Sequence, residues 1–220
     1  MTSNQPPQSR SALPGYLPRV IDDELDELMI ALPAIVLEGA KGVGKTASAE
    51  RRAATVHLLD VPAQLVVAQA DPARLLAGAP PVLIDEWQRL PESWDLVRRS
   101  VDADRSPGRF LMTGSASPGD APTHSGAGRI VTLRVRPMAL AERGVGMPTV
   151  SFRALLAGER PSIDGSTDVG LETYAQEILG SGMPGLRGLT GRPQRAALDG
   201  YIDRIIERDF PEHLDVGVIL

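Results

Sequence analysis

Ala34-Ile35-Val36-Leu37-Glu38-Gly39-Ala40-Lys41-Gly42-Val43-Gly44-Lys45-Thr46 is an apolar run that breaks into a glycine-rich turn and closes on a lysine and a threonine. Residues 34–38, bounded by glycine, have the make-up of a short buried strand. Residues 45–54 are rich in Ala, Glu and Arg, which predicts a helix. Between the two, Gly39 to Thr46 fits G-x-x-x-x-G-K-[ST]. The chemistry of a phosphate dictates these residue types. Backbone N–H groups of Gly39, Ala40, Lys41, Gly42, Val43 and Gly44 must wrap closely around phosphate oxygens, and glycines admit the close approach and the positive φ. The helix that follows adds the positive end of its dipole. Lys45 extends a compact charge toward the β- and γ-phosphates, and Thr46 offers a hydroxyl to Mg²⁺. Lys41 and Lys45 are the only lysines in the chain, and both fall in this turn.

Outward from the turn, further strands are predicted at 56–60, 82–85, 109–113 and 129–135. Helices are predicted at 22–29, at 71–76 with Asp71 as N-cap before Pro72, and at 92–101. Strands separated by helices imply right-handed crossovers and a mostly parallel sheet. Val82-Leu83-Ile84-Asp85-Glu86 is an apolar strand ending in two acids. It lies two strands after the turn, where strand ends converge near a bound phosphate. Asp85 is the expected Mg²⁺ holder, and Glu86 the expected general base that activates a water. Thr113 and Ser115, around Gly114 at the end of the fourth strand, could touch the γ-phosphate or orient the water; capping hydroxyls at a glycine turn account for them almost as well. Arg129 opens the fifth strand and could stabilise transition-state charge in its own or a neighbouring subunit. A surface arginine fits it equally, and Arg98, Arg99, Arg134 and Arg136 compete for that role. Trp87 and Trp94 read as packing residues.

Composition narrows the class. Of 220 residues, 42% are hydrophobic and 23% charged, ordinary globular values. Cysteine is absent, which excludes disulfides, thiolate zinc sites and cysteine nucleophiles. His57, His124 and His213 have no zinc spacing. The net charge of -5 gives no support to nucleic-acid binding by the chain as a whole. The apolar run 28–37 contains Pro33 and is too short to span a membrane, and residues 1–10 lack a signal core. A cytoplasmic location is expected. The guanine-reading pattern N-K-x-D does not occur.

Residues 1–15 are polar and proline-rich and are expected to form a flexible tail. An ATP-binding domain is expected over 16–145. Residues 146–220 are expected to be the helical start of a second domain. Within the C-terminal part, 138–157 and 171–180 look helical, and 158–170 and 181–193 look like loops. An amphipathic helix begins at Pro193. Its stripe of Leu198, Tyr201, Ile202, Ile205, Ile206 and Phe210 suits a partner protein or a second copy of the chain. The end reads Val218-Ile219-Leu220.

Several segments taken in order resemble one family: LEGAKGVGKT, VHLLD, PPVLIDEWQRLPE, the Val101-Asp102 pair, GRFLMTGSA and AGRIVTLRVRPMALAE. The flanks YLPRVIDDELDELM and YIDRIIERDF extend the likeness to about residues 16–215. The chain resembles the bacterial and archaeal AAA-type ATPases that carry a C-terminal domain of unknown function. The resemblance implies an α/β fold, a P-loop NTPase three-layer sandwich with a five-stranded sheet in the order 5-1-4-3-2. It implies phosphate and magnesium roles for Lys45 and Thr46, magnesium binding and water activation for Asp85 and Glu86, a sensor position at Thr113 and Ser115, and the A-G-R arginine at Arg129. Members of that family are nearly twice as long, so this chain is expected to end as the second half begins.

Together these point to Mg²⁺-dependent ATP binding and hydrolysis that moves a partner or further domain. A nucleotide-binding regulatory module without turnover is the alternative. A small-molecule kinase is a third, disfavoured by the paired acids and by the lack of an arginine-rich lid.

Overall fold

The computed structural model describes residues 15–115, 126–146 and 149–208. Contacts divide the chain into two compact units, Met1–Arg136 and Pro137–Leu220.

The first unit is built on a five-stranded sheet. Its strands are β1 (Ala34–Glu38), β2 (Thr55–Leu58), β3 (Val82–Asp85), β4 (Phe110–Gly114) and β5 (Ile130–Arg134). The order across the sheet is β2-β3-β4-β1-β5, and every pairing is parallel. Read from the other edge this is 5-1-4-3-2, so "mostly parallel" becomes wholly parallel. The central strands β3 and β4 are buried along their whole length. That is why they read as unbroken apolar runs rather than as alternating ones.

Four helices belong to this unit: α1 (Ile21–Met29), α2 (Lys45–Glu50), α3 (Pro62–Ala70) and α4 (Glu92–Ala103). Leu25 on α1 is fully buried, and the acids Asp22, Asp23 and Glu24 occupy its first turn, where the helix dipole favours them. The core gathers Val36, Ile84 and Met112 from the sheet with Trp94 and Val97 from α4. Trp87 joins it and packs on Trp94 with ring centroids 4.9 Å apart.

Three local expectations change. α2 stops at Glu50, since the chain tightens after Ala49 and the N–H groups of Ala54 and Thr55 turn to the Pro81 carbonyl to start β2. Helix α3 was not foreseen; its sequence PAQLVVAQA has little helical periodicity, and Pro62 at its first position was the available signal. Residues 72–76 form a 3-10 turn, and Asp71 takes the Arg74 N–H on its backbone oxygen, not through its side chain.

The second unit contains α5 (Phe152–Leu156), α6 (Leu171–Gly180), a 3-10 turn at Pro184–Leu186 and α7 (Gly191–Arg208). Residues 140–144 make turns rather than the predicted helix, with Gly144 and Gly146 at positive φ. The Glu177 carboxylate is held by Arg187 at 2.6 and 3.0 Å and by Arg143 at 3.2 Å. On α7, Ile202 and Ile206 are exposed, while Leu198, Tyr201 and Ile205 are half-buried. The expected tail at 1–14, most of the loop at 115–128, His124, His213, Phe210 and Val218 to Leu220 lie outside the described residues.

Candidate functional site

Residues 39–44 leave β1 at its C-terminal end and enter α2. Gly39 sits at φ 155°, and a Cβ there would come within 2.2 Å of the Val135 carbonyl oxygen. Only glycine allows the loop to pass the strand so closely. Gly44 precedes α2 at φ 100°, a left-handed turn that aims the helix start back at the loop. Lys45 is buried, and its Nζ donates to the carbonyls of Gly39 at 2.9 Å and Ala40 at 3.0 Å. The ammonium is thereby held beside the loop's own backbone. Burial lowers the Lys45 pKa; Glu86 and Asp85 pull it back up, and Lys41 adds to the lowering. A phosphate arriving here would add counter-charge to a desolvated ammonium.

Helix α2 and strand β4 both reach one carboxylate, at the end of β3. Thr46 Oγ1 donates to Asp85 Oδ1 at 2.7 Å. Thr113 Oγ1, at the end of β4, donates to the same oxygen. The Glu86 backbone N–H donates to Thr113 Oγ1 at 3.2 Å. Asp85 and Thr113 are both buried. Glu86 itself has φ 55° and ψ 49°, a left-handed conformation unusual for a residue with a Cβ. Strain of this kind persists where the surroundings enforce it, and functional sites are where it gathers. The Glu86 carboxylate accepts from Gln88 Nε2. Ser115 Oγ is buried and, among the described residues, has no hydrogen-bond partner.

The structure thus brings Lys45, Thr46, Asp85, Glu86 and Thr113 together. It does not bring Arg129 there. Ile130 pairs with Ala34 at the start of β1, whereas the phosphate loop follows Glu38 at its end. Over that strand the chain advances about 13 Å. Arg129 therefore begins at the opposite rim, where its Nε donates to Asp102 at 2.8 Å. Its guanidinium lowers the Asp102 pKa mainly through that hydrogen bond. Of the competing arginines, Arg134 pairs in register with Glu38, on the phosphate-loop rim, and Arg98 is paired with Asp95 and Asp102.

Two contributors were not foreseen. Gln88 holds the Glu86 carboxylate; its place two residues beyond Glu86 was a usable signal. Arg19 is buried and bridges two carbonyls, Nη1 to Val43 at 2.7 Å and Nη2 to Arg136 at 2.6 Å. It ties the phosphate loop to the strand beside it. Tyr16 reinforces the tie, with its hydroxyl 2.8 Å from Asp22 Oδ1 and 2.9 Å from Ser48 Oγ of α2.

The donor set suits a hard divalent cation of the magnesium type, which takes oxygen ligands and few of them from protein. Thr46 and Asp85 offer a hydroxyl and a carboxylate side by side. Among the described residues there is no cluster of three or more His, Cys, Asp or Glu that could form an all-protein cage. No helix among them is long and apolar enough to cross a membrane.

Comparison with known proteins agrees with this architecture. Two mycobacterial proteins described as uncharacterized, one from Mycobacterium bovis and one from Mycobacterium tuberculosis, are each 28% identical to the chain over 186 residues. The alignment covers 82% of this chain and 36% of each relative, so the chain spans about a third of their length. Residues 32–143, just over half of the chain, match the family described as AAA domain. That segment holds the phosphate loop, the Asp85-Glu86 strand end and Thr113, the parts of a nucleotide-binding, ATPase-like module, and the chain belongs to this AAA domain family.

Proposed function

We propose that the chain binds ATP with Mg²⁺ and hydrolyses the bond between the β- and γ-phosphates. The observation that carries the reading is the convergence of Thr46 and Thr113 on Asp85, beside buried Lys45. In this reading the amides of residues 39–44 bind the phosphates, and Lys45 leaves the Gly39 and Ala40 carbonyls for the β- and γ-oxygens. Thr46 and Asp85 hold the cation, which supplies neutralisation of charge on the triphosphate. Glu86 orients a water and takes its proton as the water oxygen bonds to the γ-phosphorus. The bond from that phosphorus to the bridging oxygen breaks, and ADP and inorganic phosphate leave. In this reading Thr113 and Ser115 would steady the γ-phosphate or the water.

The energy released would move a partner protein, a second copy, or further chain of the kind the longer relatives possess, with the apolar stripe of α7 as the contact. ATP rather than GTP is proposed from the missing N-K-x-D pattern, and a cytoplasmic site of action from composition. Nucleic acid has no support from the acidic balance. A regulatory module with little turnover is the second reading. It draws support from Arg129 being held at the far rim by Asp102, away from Lys41 and Lys45 of the loop.

The test pairs two variants. Lys45→Ala is expected to abolish ATP binding in calorimetry. Glu86→Gln is expected to keep binding while phosphate release falls about 100-fold or more. Wild-type affinity in Lys45→Ala would overturn the site assignment. Phosphate release at the same low rate in wild type and Glu86→Gln would select the regulatory module.

A further inference from the structure

A hollow lies against β2, at one edge of the sheet. It has a volume of about 360 Å³, within the range of small-molecule pockets. Its walls are His57 and Leu59 at the end of β2, Val67 and Ala68 of α3, and Arg74 and Leu75 of the following 3-10 turn. The apolar side chains that α3 gives to the lining are short, Ala63, Val67 and Ala68, which leaves the space open. It is separate from the phosphate loop: β3 and β4 lie between β2 and β1, a spacing of about 14 Å.

Three polar side chains line the hollow, His57, Gln64 and Arg74; the Gln64 Oε1 is taken by the Leu58 N–H at 2.9 Å, and the other two point to a ligand. His57 Nε2 is buried and has no hydrogen-bond partner among the described residues. Its other ring nitrogen lies against the backbone of Ala77, so a neutral ring leaves Nε2 as a bare acceptor. Buried acceptors are rarely left unmet in folded proteins. Arg74, by contrast, is exposed at the mouth, and its charge disfavours a proton on His57. The site therefore has a mostly apolar wall, a covered acceptor on one lining residue and an exposed cation on another.

We propose that this hollow binds a small amphipathic acid, with an apolar or aromatic body against Leu59, Ala68 and Leu75, a hydroxyl or N–H donor directed at His57 Nε2, and a carboxylate at Arg74. Reaching Nε2 takes a side-chain adjustment at the wall, of the kind binding commonly brings. The site is independent of the ATPase reading and would stand if that reading failed.

The experiment titrates the full chain with three probes: 4-hydroxyphenylacetate, phenylacetate and 4-hydroxyphenethylamine. Calorimetry gives the affinity, and ¹⁵N-histidine NMR follows the His57 ring, assigned through the signal missing in His57→Gln. The expected result is saturable binding of 4-hydroxyphenylacetate that shifts the His57 ring. Each of the other two probes, lacking the donor or the anion, is expected to bind about tenfold more weakly. Arg74→Ala should remove the advantage of the carboxylate, and His57→Phe the advantage of the hydroxyl. The proposal is overturned if 4-hydroxyphenylacetate shows no saturable binding at millimolar concentration. It is equally overturned if all three probes bind alike, or if the His57 signal does not move. Should His57→Phe fail to fold, the comparison of probes on the wild-type chain decides.

Discussion

Asp85 accepts two hydroxyls on one oxygen, one from the helix after the phosphate loop and one from the neighbouring strand. Thr113 also receives the Glu86 N–H, so one buried threonine fixes both acids. Thr113→Val keeps the shape and removes the hydroxyl. It is expected to lower unfolding free energy by about 1–3 kcal/mol, read in urea titrations, because Glu86 N and Asp85 lose a partner. A change below a few tenths would show the contact to be idle. Lys45, Thr46 and Asp85 were legible in sequence because a phosphate loop is a local pattern and its acid follows a recognisable apolar strand. Arg19 was not singled out, because its partners are two carbonyls that only the folded chain supplies, and Gln88 was passed over although its partner Glu86 lies two residues away. Arg129 was half legible: a residue that opens a strand of a parallel sheet must lie at the rim opposite a loop that closes one.

At the scale of elements, the segment ahead of α1 is a clamp. Arg19 spans the Val43 and Arg136 carbonyls, and Arg52 at the end of α2 reaches Asp22, Asp26 and the Ser48 carbonyl. Arg19→Ala is expected to cost about 1–3 kcal/mol of stability and to raise the KM for ATP more than it lowers kcat. Arg19→Lys should rescue little, since an ammonium cannot reproduce a planar fork between two carbonyls. Steady-state kinetics beside urea unfolding would measure both. The edge strand β2 makes a different prediction. Burial holds the His57 pKa below its ordinary 6.5, partly offset by the Ala77 backbone. The unfolded chain therefore takes the proton first, so stability is full above pH 6.5 and falls as pH drops toward the folded-state value. His57→Gln should flatten that part of the stability–pH profile, and an unchanged slope would show His57 to be irrelevant to it. The alternation of strand and helix was enough to foresee a mostly parallel sheet, and the strand order came from the family likeness alone. Helix α3 escaped because valines and glutamines without a clear 3.6 period hide a crossover that tertiary packing imposes.

For the whole molecule, the two units are unequal. The first holds a continuous core of strands and helices. In the second, Phe152, Leu156, Ile163, Leu171, Ile178 and Leu179 are exposed, and its organised polar feature is Glu177 between Arg187 and Arg143. Hydrogen exchange is expected to protect β1, β3 and β4 far longer than α5, α6 and α7, in line with the burial of each. Equal protection across both units would show that the second is covered in solution. Its Glu177 carboxyl is held below its ordinary value by Arg187 first and Arg143 second, a contribution present at neutral pH and lost on acidification. The anchoring of the phosphate loop by Tyr16 and Arg19 has a practical reach as well. A load fused ahead of residue 15 is expected to act on the Val43 carbonyl and on Ser48 through Arg19 and Tyr16, so a purification handle belongs elsewhere.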